Sequence, residues 1–256
     1  MTQLHFIQQG HGPMVVLSHA LGCDLGMWDA VAAALQDRYT VLRYDHRGHG
    51  RSPAVPGAYA MDDLADDAAE LIGRQADGPV HFVGLSMGGM TAQALGARHP
   101  ALVRSLAIAN SASRYDAAAR AGWQARIDTV RAQGVASIAE GAMQRWFTPE
   151  FRADEKVGRA RVAALRAVLE AMAPAPYAAA CAAVAGIELD AGNARIPCPA
   201  LVIAGSRDEA TPPAMSKEIA RRIAGAQLQS LDAAHLSAVE QPEAFARLLT
   251  GFWQAL

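Results

Sequence analysis

The chain has 256 residues, 52% of them apolar, a proportion that supplies one full-sized core and excludes an intrinsically disordered chain. A formal charge of −2, with arginines scattered among the acids, forms no basic stripe, which argues against nucleic acid or an anionic membrane as partner and points to a small molecule. Three widely spaced cysteines, Cys23, Cys181 and Cys198, fit a reducing compartment. With no basic and apolar leader and no run long enough to span a bilayer, the expected location is the cytoplasm.

Residues 4–8 read as a strand and 14–17 as a buried one, ending in Ser18-His19-Ala20-Leu21-Gly22. A helix over 28–35 follows, then a strand over 39–44 and the loop Asp45-His46-Arg47-Gly48-His49-Gly50-Arg51-Ser52. Residues 61–75 carry a helix whose acids face water. Residues 80–83 form a strand running into Gly84-Leu85-Ser86-Met87-Gly88-Gly89 and a helix to Arg98, with Pro100 as stop signal. Strands at 103–109 and 200–204 are separated by about ninety residues of helical pattern, too long for a simple crossover. In this insert Trp123, Ile127 and Val130 recur at helical spacing, Gly134 stops them, and Val135, Ile138, Ala142 and Trp146 resume. Thr148-Pro149 offers a cap and a first-turn proline ahead of a helix over 157–172. A strand over 227–231, a loop to His235 and a helix over 242–253 close the chain. The alternation predicts an α/β fold with a mostly parallel sheet covered by helices on both faces. Its core is residues 1–112 and 191–256, with 113–190 inserted as a helical cap.

Gly84-x-Ser86-x-Gly88 between a buried strand and a helix is the feature on which the chemical reading depends. A tight turn there projects the serine oxygen into a cleft, and the glycines allow close strand–helix packing. A serine hydroxyl needs a base within reach and an acid to orient that base. His235, in the loop after the last strand, supplies the base. Asp208, at the end of the 200–204 strand, supplies the acid, with Glu209 as its rival. Asn110 stands where an acid could have followed the 103–109 strand, and its neutrality favours Asp208. Developing charge on a substrate oxygen calls for the backbone amides of Met87, at a helix start, and Leu21, after the second strand. His19 reads as structural. Asp45, His46 and His49 lie in a glycine turn without a helical metal-ligand pattern, so no metal is expected and Asp45 and Arg47 are read as ties between adjacent strands.

Together these pieces resemble the 3-oxoadipate enol-lactonases of the α/β-hydrolase superfamily. The likeness runs through Leu21-Gly22-Cys23-Asp24-Leu25-Gly26-Met27-Trp28, the stretch from Val41 to Gly50, the serine turn through Thr91, Arg145-Trp146-Phe147-Thr148-Pro149, and Leu231-Asp232-Ala233-Ala234-His235-Leu236-Ser237. The resemblance implies an eight-stranded type of core with a helical cap, no cofactor, and hydrolysis of an enol-lactone bearing a carboxymethyl group. It also implies substrate contact by Arg145 and Trp146. The sequence departs from the pattern in a short start that lacks the first edge strand, in the residues before Leu21, and in His46, where the lactonases tend to have threonine. The same triad serves esterases and lactonases for other acyl groups, and carbon–carbon hydrolases of vinylogous diketones. A non-catalytic receptor on this fold need not keep the intact serine, acid and histidine.

Overall fold

The computed structural model describes residues 3–256. The segments read as strands become seven: β1 (Phe6–Gly10), β2 (Met14–Ser18), β3 (Thr40–Tyr44), β4 (Val80–Leu85), β5 (Val103–Ala109), β6 (Ala200–Gly205) and β7 (Gln227–Leu231). They form one sheet in the order β1-β3-β2-β4-β5-β6-β7. Every neighbouring pair is parallel except β1 with β3. Among the described residues the sheet has seven strands rather than the eight implied by the resemblance, and β1 is an edge. β4 and β6 are buried throughout, as strands covered on both faces must be.

The core helices are α1 (Asp29–Leu35), α2 (Met61–Gln75) and α3 (Met87–Arg98). Between β5 and β6 come α4 (Ala117–Gln133), α5 (Ala139–Trp146), α6 (Pro149–Ala153), α7 (Gly158–Glu170), α8 (Pro174–Ala185) and α9 (Asp190–Asn193). The chain then adds α10 (Pro213–Arg222), α11 (Ser237–Glu240) and α12 (Pro242–Gln254). Strand alternation sends helices to opposite faces. On one face the His81 ring of β4 meets Trp253 of α12, with centroids 4.8 Å apart. On the other, Leu106 of β5 lies against Gly96 of α3, where an added Cβ would come within 2.7 Å of it.

The insert leaves and rejoins the sheet through two stems lying side by side. Arg114 and Glu188 form an antiparallel bridge, Leu189 N–H donates to Ser113 O across 2.8 Å, and the Ser113 hydroxyl donates to Asp190 across 2.6 Å. Thr148 caps α6 as its sequence indicates, its Oγ1 accepting the Phe151 N–H, with Pro149 at the first helical position. The region read as 157–172 is helical from Gly158 to Glu170, and a separate helix starts at Pro174. Among the described residues no single helix is long and apolar enough to cross a membrane. α7 and α8 reach that length only jointly, across a 102° bend.

Candidate active site

Ser86 occupies the turn between β4 and α3 with φ +57° and ψ −114°, a backbone that a residue with a Cβ adopts only under constraint. The constraint comes from both sides. Ser86 N–H donates to Ala109 O across 2.9 Å, and Ser86 O accepts from Met90 N–H and from the Ser111 hydroxyl, each at 2.9 Å. The flanking glycines are a steric requirement. A Cβ on Gly84 would sit 1.9 Å from Gly88 O, and one on Gly88 would sit 2.0 Å from Ser18 O.

This turn aims the Ser86 hydroxyl at His235, whose Nε2 accepts from it across 2.9 Å. His235 Nδ1–H in turn donates to Asp208 Oδ2, also across 2.9 Å. Asp208 is 4% exposed, yet burial, which would raise its pKa, is outweighed by the His235 ring and a set of donors, and its carboxyl is held down to about 2. Those donors are Ala210 N–H and Thr211 N–H on Oδ1, and the Thr211 hydroxyl and Asn110 Nδ2 on Oδ2, at 2.8 to 3.0 Å. An ionised Asp208 fixes the His235 proton on Nδ1 and leaves Nε2 free for the serine proton. Glu209, the rival acid, is exposed and lines the cavity in front of the triad instead.

The amides expected to receive an oxyanion lie in two separate turns. Met87 opens α3, and Leu21 lies in the turn after β2. In that turn Ala20 N–H meets Met27 Sδ, Gly22 N–H donates to His49 Nε2 at 3.3 Å and Cys23 N–H donates to Ala20 O at 3.1 Å. Among the described residues Leu21 N–H and Met87 N–H have no acceptor.

Beneath the turn, His19, His46 and His49 are buried with their rings in edge or tilted contact. His19 Nε2 accepts His46 N–H at 2.9 Å, and its Nδ1–H donates to Ala20 O at 2.8 Å. His49 is fixed likewise, accepting from Gly22 and donating to Arg47 O at 3.2 Å. Desolvation holds His19 down to about 4 and His49 to about 3, and with the adjoining rings keeps His46 well below the usual histidine range. The neutral rings of His19 and His49 thus act as backbone ties around the Leu21 turn, while His46 Nε2 meets the Ser18 hydroxyl at 2.8 Å. The sequence-based role of the following loop needs correction. Asp45 joins two loops, accepting from Leu25 N–H and Arg51 N–H at 2.8 Å each, while Arg47 reaches Asp67 of α2 at 2.6 Å and ties no strand.

A cavity of about 560 Å³ opens over Ser86 and His235, walled by Leu21 from the core and by Trp123, Arg126, Arg145 and Trp146 from the insert. Trp146, at the end of α5, is buried, and its carbonyl accepts Leu236 N–H across 3.0 Å, linking the insert to the His235 loop. Arg145 is exposed at the mouth, and burial of part of its side chain together with the charge of Arg126 holds its pKa below the usual arginine value.

A family profile described as the alpha/beta hydrolase fold matches residues 13–242. The chain belongs to the α/β-hydrolases. This α/β-hydrolase is 38% identical to 3-oxoadipate enol-lactonase 2 of Acinetobacter baylyi over 237 residues, which is 93% of this chain and 87% of that one. Among solved structures it is similar to the enol-lactonase from Burkholderia xenovorans LB400, with a TM-score of 0.93 and 36% identity, covering 99% of this chain and 97% of the other. It is also similar to a thermophilic esterase from Thermogutta terrifontis, solved with malate bound, at TM-score 0.91 and 29% identity, covering 99% and 94%.

Three residues of this α/β-hydrolase's site escape sequence reading. Asn110 is more than a neutral placeholder, since it donates to Asp208 and to Ala234 O, at 3.0 and 3.2 Å. Glu240 accepts from Ala234 N–H at 2.8 Å and from the Thr148 hydroxyl at 2.6 Å, fastening the His235 loop to the insert. Arg126 lines the cavity, although its only sequence signal is its place beside Ile127 in a helical stripe.

Proposed function

We propose that this enzyme hydrolyses a small carboxylated enol-lactone of the 3-oxoadipate enol-lactone type through an acyl-enzyme. It is a hydrolase of the ester and lactone class, and Ser86, His235 and Asp208 are its triad. The carrying observation is the unbroken hydrogen-bond chain from Ser86 Oγ to Asp208, 2.9 Å at each link, beneath a cavity edged by arginines.

Ser86 Oγ attacks the lactone carbonyl while His235 Nε2 takes its proton, and the Leu21 and Met87 amides hold the resulting oxyanion. Collapse breaks the ring C–O bond. The enolate leaving group takes the proton from His235 and remains tethered to the acyl-enzyme as a ketone. Water, deprotonated by the same histidine, then releases the acid and restores Ser86. Arg145 draws the substrate carboxylate to the mouth and Trp146 walls the pocket. Residues 113–190 act as the cap that sets selectivity. The buried, unpaired Cys23, Cys181 and Cys198 support a cytoplasmic setting.

Side-by-side hydrolysis of 3-oxoadipate enol-lactone and p-nitrophenyl acetate tests the reading. A kcat/KM on the order of 10⁵ M⁻¹s⁻¹ or more on the lactone, with slow turnover of the acetate, is expected. Turnover of the acetate alone would move the assignment to a small-ester hydrolase, the reading favoured by the likeness to the thermophilic esterase.

A further inference from the structure

Arg126 sits on α4 with its guanidinium near two aromatic rings, its Cζ 5.5 Å from the centroid of Trp123 and 5.8 Å from that of Tyr177. Such contacts favour a cation held at this place. Arg126 Nε is buried and has no hydrogen-bond partner among the described residues. The residue makes no ion pair there either, although Glu209 lines the same cavity. A second cation, Arg145, stands close enough to repel it. A half-buried charge with an orphaned donor and a like-charged neighbour is costly unless an anion completes it. Ser86 and His235 line the same space as this unsatisfied cation, so one molecule of modest length can meet both.

We propose that Arg126 is the carboxylate anchor of the pocket, and that the enzyme therefore also cleaves open-chain half-esters of short dicarboxylic acids. This rests on the ester and lactone chemistry proposed above. The lactone's acyl-enzyme is an open chain esterified to Ser86 at one end and carrying a carboxylate at the other. A monoester of a four- to six-carbon dicarboxylic acid leads to the same kind of acyl-enzyme. Ser86 Oγ bonds to the ester carbonyl carbon and gives its proton to His235. The alkoxy C–O bond breaks, and the alkoxide leaves as the alcohol with that proton. Water then adds to the acyl carbon, its proton passes through His235 to Ser86 Oγ, and the dicarboxylic acid departs. One ester and one water give one acid and one alcohol. Arg126 takes no proton. It selects the substrate end that is not cut.

The test compares kcat/KM for monoethyl and diethyl adipate in the wild-type enzyme, in Arg126→Gln and in Arg126→Lys, with p-nitrophenyl acetate as reference. The wild type should prefer the monoester by at least about ten-fold, the range of one charge-assisted contact. In R126Q the ratio should collapse to within about two-fold of unity, and R126K should fall between. Adipate should inhibit p-nitrophenyl acetate hydrolysis competitively in the wild type, and at least about ten-fold more weakly in R126Q. A wild-type ratio near unity with the acetate still turned over overturns the anchor while sparing the triad. An undiminished ratio in R126Q does the same. Turnover of 3-oxoadipate enol-lactone with no turnover of the monoester overturns the half-ester activity alone, and absence of turnover on the lactone and on every ester overturns the proposed function with it.

Discussion

Asn110 and Asp208 lie 98 positions apart in sequence, and the Asn110 side-chain amide donates to the carboxylate of Asp208 across 3.0 Å. The same amide reaches Ala234 O, and Ser237 Oγ donates to Asn110 Oδ1 across 2.5 Å. Asn110 holds φ at +46°, a conformation asparagine tolerates better than most residues. One side chain therefore spans the loop that carries the acid and the loop that carries the base. Asn110→Asp sets a second carboxylate against the first, and kcat/KM should fall about 10- to 100-fold, since like charges at this range disfavour the ionised form. Asn110→Ala removes both donors and should cost about 1–3 kcal/mol of stability. Urea midpoints and ester kinetics on the two variants check this. An Asn110→Asp enzyme as active and as stable as the parent would contradict it.

Ser86 holds φ at +57°, and small substitutions there should report the cost of the elbow. Ser86→Ala should abolish turnover, with a loss on the order of 10⁶-fold. Ser86→Gly should be equally inactive but more stable than the alanine variant by about 1 kcal/mol, the left-handed cost of a Cβ less the added freedom of glycine when unfolded. Equal denaturation midpoints for the two variants would mean that the turn stores no strain.

The buried histidines make the Leu21 turn acid-sensitive. His19 and His49 titrate at about 4 and about 3 in the folded chain, against 6.5 as the ordinary value. Desolvation is the leading cause in both, and it acts on His46 in the same direction. The unfolded chain binds more protons than the native one below pH 6.5, so stability should fall with falling pH. The loss begins near 6.5 and continues down through the folded values, at about 1.4 kcal/mol per pH unit for each histidine. Urea midpoints at pH 7.5, 6.0 and 5.0 measure it, and a flat series would exclude neutral burial of these rings.

Glu240 is the clasp between the His235 loop and α6. Glu240→Ala leaves Ala234 N–H and the Thr148 hydroxyl without their acceptor and should cost about 1–3 kcal/mol. Because the loop it holds carries His235, kcat should fall more than KM rises. Proteolysis should also become faster around residue 148, since the start of α6 loses its link to the core. Wild-type kcat in a stably folded variant would show that the loop is positioned from elsewhere.

What the sequence makes legible follows from how local the cause is. The serine turn is set by Gly84 and Gly88 and by the strand and helix that flank them, all within a few residues, so its geometry is readable in advance. β5 and β7 coincide with the residues read as strands, 103–109 and 227–231, with Asn110 and Asp232 following them as turn-forming residues. β1 does not. Its pattern suggests 4–8, but register against β3, with Gly10 opposite Thr40, moves the strand two residues on and leaves Leu4 as a buried anchor outside it. The helix read as starting at Trp28 is preceded by a 3₁₀ turn that Asp24 caps through Gly26 N–H. α8 has no apolar stripe to find, because it is apolar almost throughout, with Ala175 and Ala182 exposed and Ala178, Ala180 and Ala183 buried. Asn110 is marked in the sequence only by its place after the 103–109 strand, and Arg126 and Glu240 acquire their roles only when distant segments meet.

The paired stems at Arg114 and Glu188 set the terms on which this molecule can diversify. A segment whose two ends already touch can grow or shrink at a cost that rises only with the logarithm of its length. The strands it joins, β5 and β6, are neighbours whatever lies between them. The groups that cut belong to the sheet, while Trp123, Arg126 and Arg145 belong to the segment between the stems. Under the proposed function, reactivity and substrate choice reside on separate pieces. A lineage can exchange the second by replacing one contiguous stretch, without re-registering a single strand or disturbing Ser86.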